Sequence, residues 1–263
     1  MRKIDIKGLR KIQLEILDII HEFCEKNSIT YYLSYGTLIG AVRHKGFIPW
    51  DDDVDISMPR EDYDKFINSF NDYNKKYKLL AMENDENYPY TFAKVVDADT
   101  FLVERDNPSY PIGVYIDLFP IDGTDKKGKI ILKQRVWSTL YLLKNVKLSS
   151  KMQVHKTLGL FLSKILLFIF PKKFIRNRID NNIYNYDYSS SNYVAGFSIG
   201  ESYDKPIFKS CFEKKLLTKF EDREYYIPVG YDEWLKSIYG EYMNLPPVDK
   251  QKPHHSFDAY YKD

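Results

Sequence analysis

YGTLIGAVRHKGFIPWDDDVDISMPR, residues 35–60, decides how this chain is read. Gly36-Thr37 closes a β-branched and aromatic run over 30–35 and opens the periodic segment LIGAVRHKG, so the local order is strand, tight turn, helix. The acidic run Asp51-Asp52-Asp53 follows, and the alternation in VDISM predicts a strand over 54–58 that Pro59 ends before a helix over 61–70. Asp53 and Asp55 stand two apart at the start of an extended segment. Their carboxylates therefore point to one face of the sheet and can converge on a hard cation. Magnesium, or manganese in its place, suits two carboxylates whose remaining ligands are waters and phosphate oxygens. The turn at Gly36 and Thr37 allows close backbone approach, and its amides together with the helix start can cradle a phosphate.

Working outward, Asp117 interrupts the apolar strand Val114-Tyr115-Ile116-Asp117-Leu118-Phe119, where a charge needs a partner. Beside the strand of Asp53 and Asp55 it can ligate the metal or take a proton from an attacking hydroxyl; elsewhere it would pair with a buried arginine. Further strands are predicted at 78–82, 91–96, 100–104 and 114–119, and an opening amphipathic helix at 9–24. From 128 to 185 the pattern turns to long helical periodicity broken at Pro171, then to a hairpin at 216–227, a short helix at 232–239 and a tail bearing Pro, Lys and His. The fold class is α/β, in the α+β sense, with a mixed sheet core over 1–125, a helical region over 126–190 and a C-terminal part over 191–263.

The 263 residues carry 39 basic and 37 acidic side chains, a formal charge of +2, so no global charge directs the chain to nucleic acid. The two cysteines, Cys24 and Cys211, fit neither a zinc site nor a disulfide framework. The charged start has no apolar signal core, and the apolar stretch 158–170 is too short to span a bilayer, which together predict a cytoplasmic protein. Aromatic residues reach 16%, with 23 Tyr, rings that suit amphipathic ligands.

A Gly-[Ser/Thr] turn, a D-x-D strand start and a later lone Asp in a strand form the general pattern of the nucleotidyltransferase fold. Residues 35–60 more specifically resemble the signature of the LicD family, which includes the fukutin-related phosphotransferases. The similarity continues in FAKVVDADT (92–100), GVYIDLFPIDG (113–123) and YGEYMNLPP followed by His254-His255. The resemblance implies metal-dependent transfer of phosphocholine from CDP-choline to a hydroxyl of a cell-surface glycan precursor, of the teichoic acid, lipopolysaccharide or capsule type. It carries over Asp53, Asp55 and Asp117 as catalytic metal ligands. Gly36, Thr37, Arg43, Lys45, Arg60 and Lys94 become the nucleotide and phosphate contacts. It also implies a tail that folds over the site, bringing His254 or His255 as base or phosphate ligand. Trp50 and tyrosines are candidates for an aromatic cage around choline. The apolar helix at 158–170 reads first as a core helix, and the cluster Lys172, Lys173, Arg176 and Arg178 after it gives the alternative, 158–178 as a peripheral contact with a membrane carrying a lipid-linked acceptor. Left open are a CDP-glycerol or CDP-ribitol donor, nucleotidyl transfer, and a glycan- or nucleotide-binding module without catalysis.

Overall fold

The computed structural model describes residues 2–104, 110–145, 170–196, 205–253 and 257–262. Short β1 (Lys3–Ile4) leads into α1 (Ile6–Asn27), capped at its start by Asp5, whose carboxylate accepts from the Gly8 amide at 2.7 Å. Leu9, Ile12, Ile16, Leu17, Ile20 and Phe23 recur at helical spacing and are all buried, which is why the helix lies with that face on the sheet. Gln13 is buried in the same stripe. β2 (Tyr32–Leu33) is followed by α2 (Tyr35–Ile39), which continues as a π-helical turn over Gly40–His44. β3 (Asp55–Pro59), α3 (Arg60–Ser69), β4 (Tyr77–Leu80), β5 (Ala93–Asp97), β6 (Thr100–Glu104) and β7 (Tyr115–Thr124) complete the first half.

The principal sheet runs β2-β3-β7-β5-β4. Only the β3–β7 pairing is parallel in that order; β2–β3, β7–β5 and β5–β4 are antiparallel. The sequence predicts that β7 stops before Pro120, yet it continues to Thr124. The Asp117 amide donates to the Val54 carbonyl at 3.0 Å, so odd-numbered residues of β7 point their amides at β3 and even-numbered ones at the other neighbour. On that other side β5 pairs only as far as Leu118, and β8 (Tyr193–Gly196) begins its pairing at Ile121. Pro120, with no amide, falls in the gap. β8 and β9 (Ile207–Phe208) extend this sheet, a return that the helical pattern before them does not announce.

The helical region contains α4 (Lys129–Asn145) and α5 (Lys172–Ile183), which pack on each other through Ile130, Ile131, Tyr141, Ile175 and Ile179. The apolar stretch 158–169 lies outside the described residues, and among those described no helix is long and apolar enough to cross a membrane. β10 (Lys215–Phe220) and β11 (Arg223–Pro228) form the predicted hairpin, and α6 (Tyr231–Tyr239) the short helix. The C-terminal β12 (Phe257–Tyr261) is the middle strand of a small sheet, β1-β12-β6. β6 is therefore a strand, as its sequence predicts, but not one of the principal sheet. One hydrophobic cluster takes in residues from Ile4 to Ala259, including Cys211, Phe220 and Trp234 of the C-terminal part.

Candidate active site

The parallel register pairs Asp55 of β3 with Asp117 of β7, and the antiparallel register pairs Asp117 with Lys94 of β5. Residues paired across strands share a face, so two carboxylates and an ammonium line up across three neighbouring strands. Lys94 forms an ion pair with Asp117 and lies over the Tyr115 ring, its Nζ 3.6 Å from the centroid. The partner of Asp117 is thus a lysine, not the arginine that one reading of the sequence allows.

The loop before β3 adds three acids. Asp51, Asp52 and Asp53 can each offer one carboxylate oxygen within 4.8 Å of the others, and among the described residues no other group of three ligands does so. This grouping differs from the Asp53, Asp55 and Asp117 set implied by the family resemblance: Asp51 and Asp52 join the cluster directly. Asp51, Asp52, Asp55 and Asp117 are 6–8% exposed and Lys94 is 4% exposed, so one buried lysine faces several buried carboxylates. Burial first, then the charge and hydrogen bond of Asp53, push the Asp51 carboxyl up to about 8. Burial, then Asp53 and Asp117, hold Asp55 well above the usual carboxylate range, against the opposing pull of Lys94. A buried excess of negative charge with hard oxygen donors is what a divalent cation of the magnesium type neutralises, and the residues present fit such an ion.

Backbone contacts fix this cluster. Thr37 Oγ1 accepts from the Asp55 amide at 2.8 Å, and the Ser34 amide donates to the Asp55 carbonyl at 3.0 Å. At Gly36 a Cβ would stand 2.8 Å from Asp51 Oδ2, so glycine leaves room for the carboxylate. Because the obstructing atom is the far end of a side chain and not backbone, Gly36→Ala is expected to cost little stability while displacing Asp51. Turnover should fall at least about tenfold, on the scale of a disturbed ligand support; unchanged kinetics would dissociate Gly36 from the site. The side of Gly46 is occupied by the Glu221 carboxylate at the β10–β11 turn, which accepts from the Phe47 amide at 2.9 Å and so ties the hairpin to this loop.

Sequence reasoning missed the two residues that hold the aspartate loop from below. Arg10 Nη2 donates to the carbonyls of Ile48, Pro49 and Asp51 at 2.9–3.0 Å, and Gln13 Nε2 to that of Asp52 at 2.9 Å. A polar residue at 13, inside the apolar stripe of α1, is the one available signal. Removing a cation that serves three carbonyls, as in Arg10→Ala, should destabilise by about 1–3 kcal/mol and lower turnover by about 10–100-fold. Urea unfolding and steady-state kinetics measure the two effects; a stability loss with normal turnover would leave Arg10 a structural role alone.

The other predicted cations are not brought to the carboxylates. Arg60 lies beyond the opposite end of β3, with Nε 2.5 Å and Nη2 3.0 Å from the two oxygens of Asp122, and it is buried there. Its guanidinium is committed to a structural pair, which corrects its expected place on a diphosphate. Arg43 donates to the carbonyls of Tyr242 and Asn244 and to His44 Nε2, so it docks the C-terminal segment. Lys45 is exposed, in the left-handed region at φ 59°, and its carbonyl accepts from the Glu221 amide. Trp50 is half-buried and meets His44 edge-on. His254 and His255 lie outside the described residues. A cavity of about 420 Å³ opens at the Pro59 end of β3, away from the carboxylates.

Residues 28–141, which contain all of the strands just described around Asp55 and Asp117, match the LicD/FKTN/FKRP nucleotidyltransferase domain. The lipopolysaccharide cholinephosphotransferase LicD of Haemophilus influenzae is 32% identical to this chain over 268 residues, 99% of each. An uncharacterised protein of Rickettsia prowazekii is 44% identical over 63 residues, 24% of each chain. One of Rickettsia typhi is 32% identical over 108 residues, 41% of this chain and 33% of that protein.

Proposed function

From the premise that this chain belongs to the LicD family, we propose that it transfers phosphocholine from CDP-choline to a hydroxyl of a cell-surface glycan. The observation that carries the reading is the register that sets Asp55, Asp117 and Lys94 side by side, with Asp51, Asp52 and Asp53 at the same strand end. In the transfer, the acceptor oxygen forms a bond to the distal phosphorus of the donor. The bond from that phosphorus to the bridging oxygen breaks, CMP leaves with the electron pair, and the hydroxyl proton passes to a base.

Asp51, Asp52 and Asp53, with Asp55 beside them, would hold a magnesium or manganese ion. Bound there, it would neutralise the diphosphate and the charge that develops on the leaving CMP. Thr37 and Ser34 fix the backbone of Asp55, and Gly36 lets Asp51 approach, so the acids are preorganised by contacts already made without substrate. Lys94 is ion-paired with Asp117 and holds that carboxylate in place. The cytoplasm is the compartment this reading assigns, with the glycan acceptor carried on a lipid at the inner membrane face.

Calorimetry with CDP-choline, CDP-glycerol and CDP-ribitol, in magnesium and then in EDTA, tests the donor. Magnesium-dependent binding of CDP-choline in preference to the polyol donors is expected. Preference for a polyol donor would replace the substrate and keep the site; binding of none would favour nucleotidyl transfer or a binding module.

A further inference from the structure

The face that carries the carboxylates also carries a row of packed aromatic rings. Side chains two apart on a strand share a face, so Phe119 stands next to Asp117 along β7, and Phe92, just before β5, stands next to Lys94. The Phe92 and Phe119 ring centroids are 4.6 Å apart, and Tyr35 meets Phe119 edge-on at 5.2 Å. Tyr90 extends the row from Phe92 at 5.3 Å. Tyr35, Phe92 and Phe119 form a small apolar cluster of their own, buried to 7–8% exposure, with Ile238 of α6 packed against it and Trp234 of the same helix 5.8 Å from the Tyr35 ring.

Two further observations give this surface a use. Tyr35 has φ 49°, the left-handed region, which a bulky aromatic residue rarely adopts. Glycine or asparagine would take that backbone conformation more readily, so the side chain at 35 is held there against the backbone preference. One ring of the three, Phe92, already lies near a cation: Lys94 Nζ is 5.1 Å from its centroid, as it is from that of Tyr90, and it sits closest, at 3.6 Å, to Tyr115 outside the cluster. A trimethylammonium group donates no hydrogen bond and is favoured by aromatic rings backed by carboxylates. A glycerol or ribitol chain, in contrast, would leave its hydroxyls without partners against such a wall.

We infer that Tyr35, Phe92 and Phe119 form the wall that takes the trimethylammonium end of the transferred phosphocholine and sets the preference for choline over polyols. The inference rests on the phosphocholine reading above. It names the residues that choose the donor, in place of Trp50, which lies against His44.

The test is calorimetry on the full chain in magnesium, with CDP-choline, CDP-glycerol and CMP as probes, for the wild type, Phe119→Leu and Tyr35→Leu. Circular dichroism and thermal unfolding establish which variants fold, and Tyr35→Leu serves if Phe119→Leu does not. The expected result is a loss of about tenfold in CDP-choline affinity with CMP affinity unchanged. Equal losses for CMP and CDP-choline would place the cytosine ring on this wall and overturn the inference, as would unchanged affinity for both. Wild-type protein that prefers CDP-glycerol, or ignores CDP-choline, would instead remove the phosphocholine reading itself.

Discussion

Asp55→Asn is expected to lower turnover about a thousandfold, the upper part of the range for removing one electrostatic group from a preorganised site, while the protein stays folded. The carboxylate faces Asp53, Asp51 and Asp117 with Lys94 as the nearby counter-charge, and burial already disfavours its ionised form. Asparagine keeps the shape, and its backbone keeps the bonds to Thr37 and Ser34, because both run through the main chain of residue 55. In EDTA the variant should therefore melt at or above the wild-type temperature, since one of several mutually repelling charges has gone. Magnesium should raise the melting temperature of the wild type more than that of the variant. Normal turnover in Asp55→Asn, or a collapse of the fold without loss of specific activity in what remains, would contradict the role given to this residue.

The second large effect concerns stability. Arg60→Met leaves Asp122, 1% exposed, without the guanidinium that holds both of its oxygens, and should destabilise by about 3–5 kcal/mol. Replacing both partners, Arg60→Met with Asp122→Leu, removes the orphaned charge and should recover most of that loss. Urea midpoints of the two single variants and the double variant complete the cycle. Because the pair lies at the far end of β3, donor affinity in the folded variants should stay near wild type. A drop in affinity with little change in stability would return Arg60 to the phosphate role that its place in the signature implies.

That contrast shows what the sequence could and could not disclose. The place of Asp55 at the start of a strand and the isolated charge of Asp117 in an apolar run were legible because strand periodicity turns position into direction, whereas Asp53 lies in the loop before β3, where that periodicity does not apply. The pairing of Asp55 with Asp117 follows once β3 and β7 are neighbours. Arg60 and Arg43 sit in the same signature, yet spacing does not say where a long side chain ends: one reaches Asp122, the other the carbonyls of Tyr242 and Asn244. Arg10 and Gln13 act on main-chain carbonyls about forty positions away, and such partners leave no side-chain signature in the sequence. β7 outran its predicted end because Pro120 happens to face a gap between two partner strands, a property of the sheet and not of the segment. β8 and β12 were missed for the same reason, as each is short and is a strand only through its neighbours.

The most direct test of phosphocholine transfer follows both products at once. Purified protein is incubated with choline-labelled CDP-choline and a panel of teichoic acid and lipopolysaccharide acceptors, in magnesium and in EDTA, while CMP is measured alongside label in the glycan. Equal amounts of CMP and glycan-bound choline, formed in magnesium and abolished by EDTA, are the predicted result. Pyrophosphate release from a nucleoside triphosphate, or label transfer that persists undiminished in EDTA, would contradict the account.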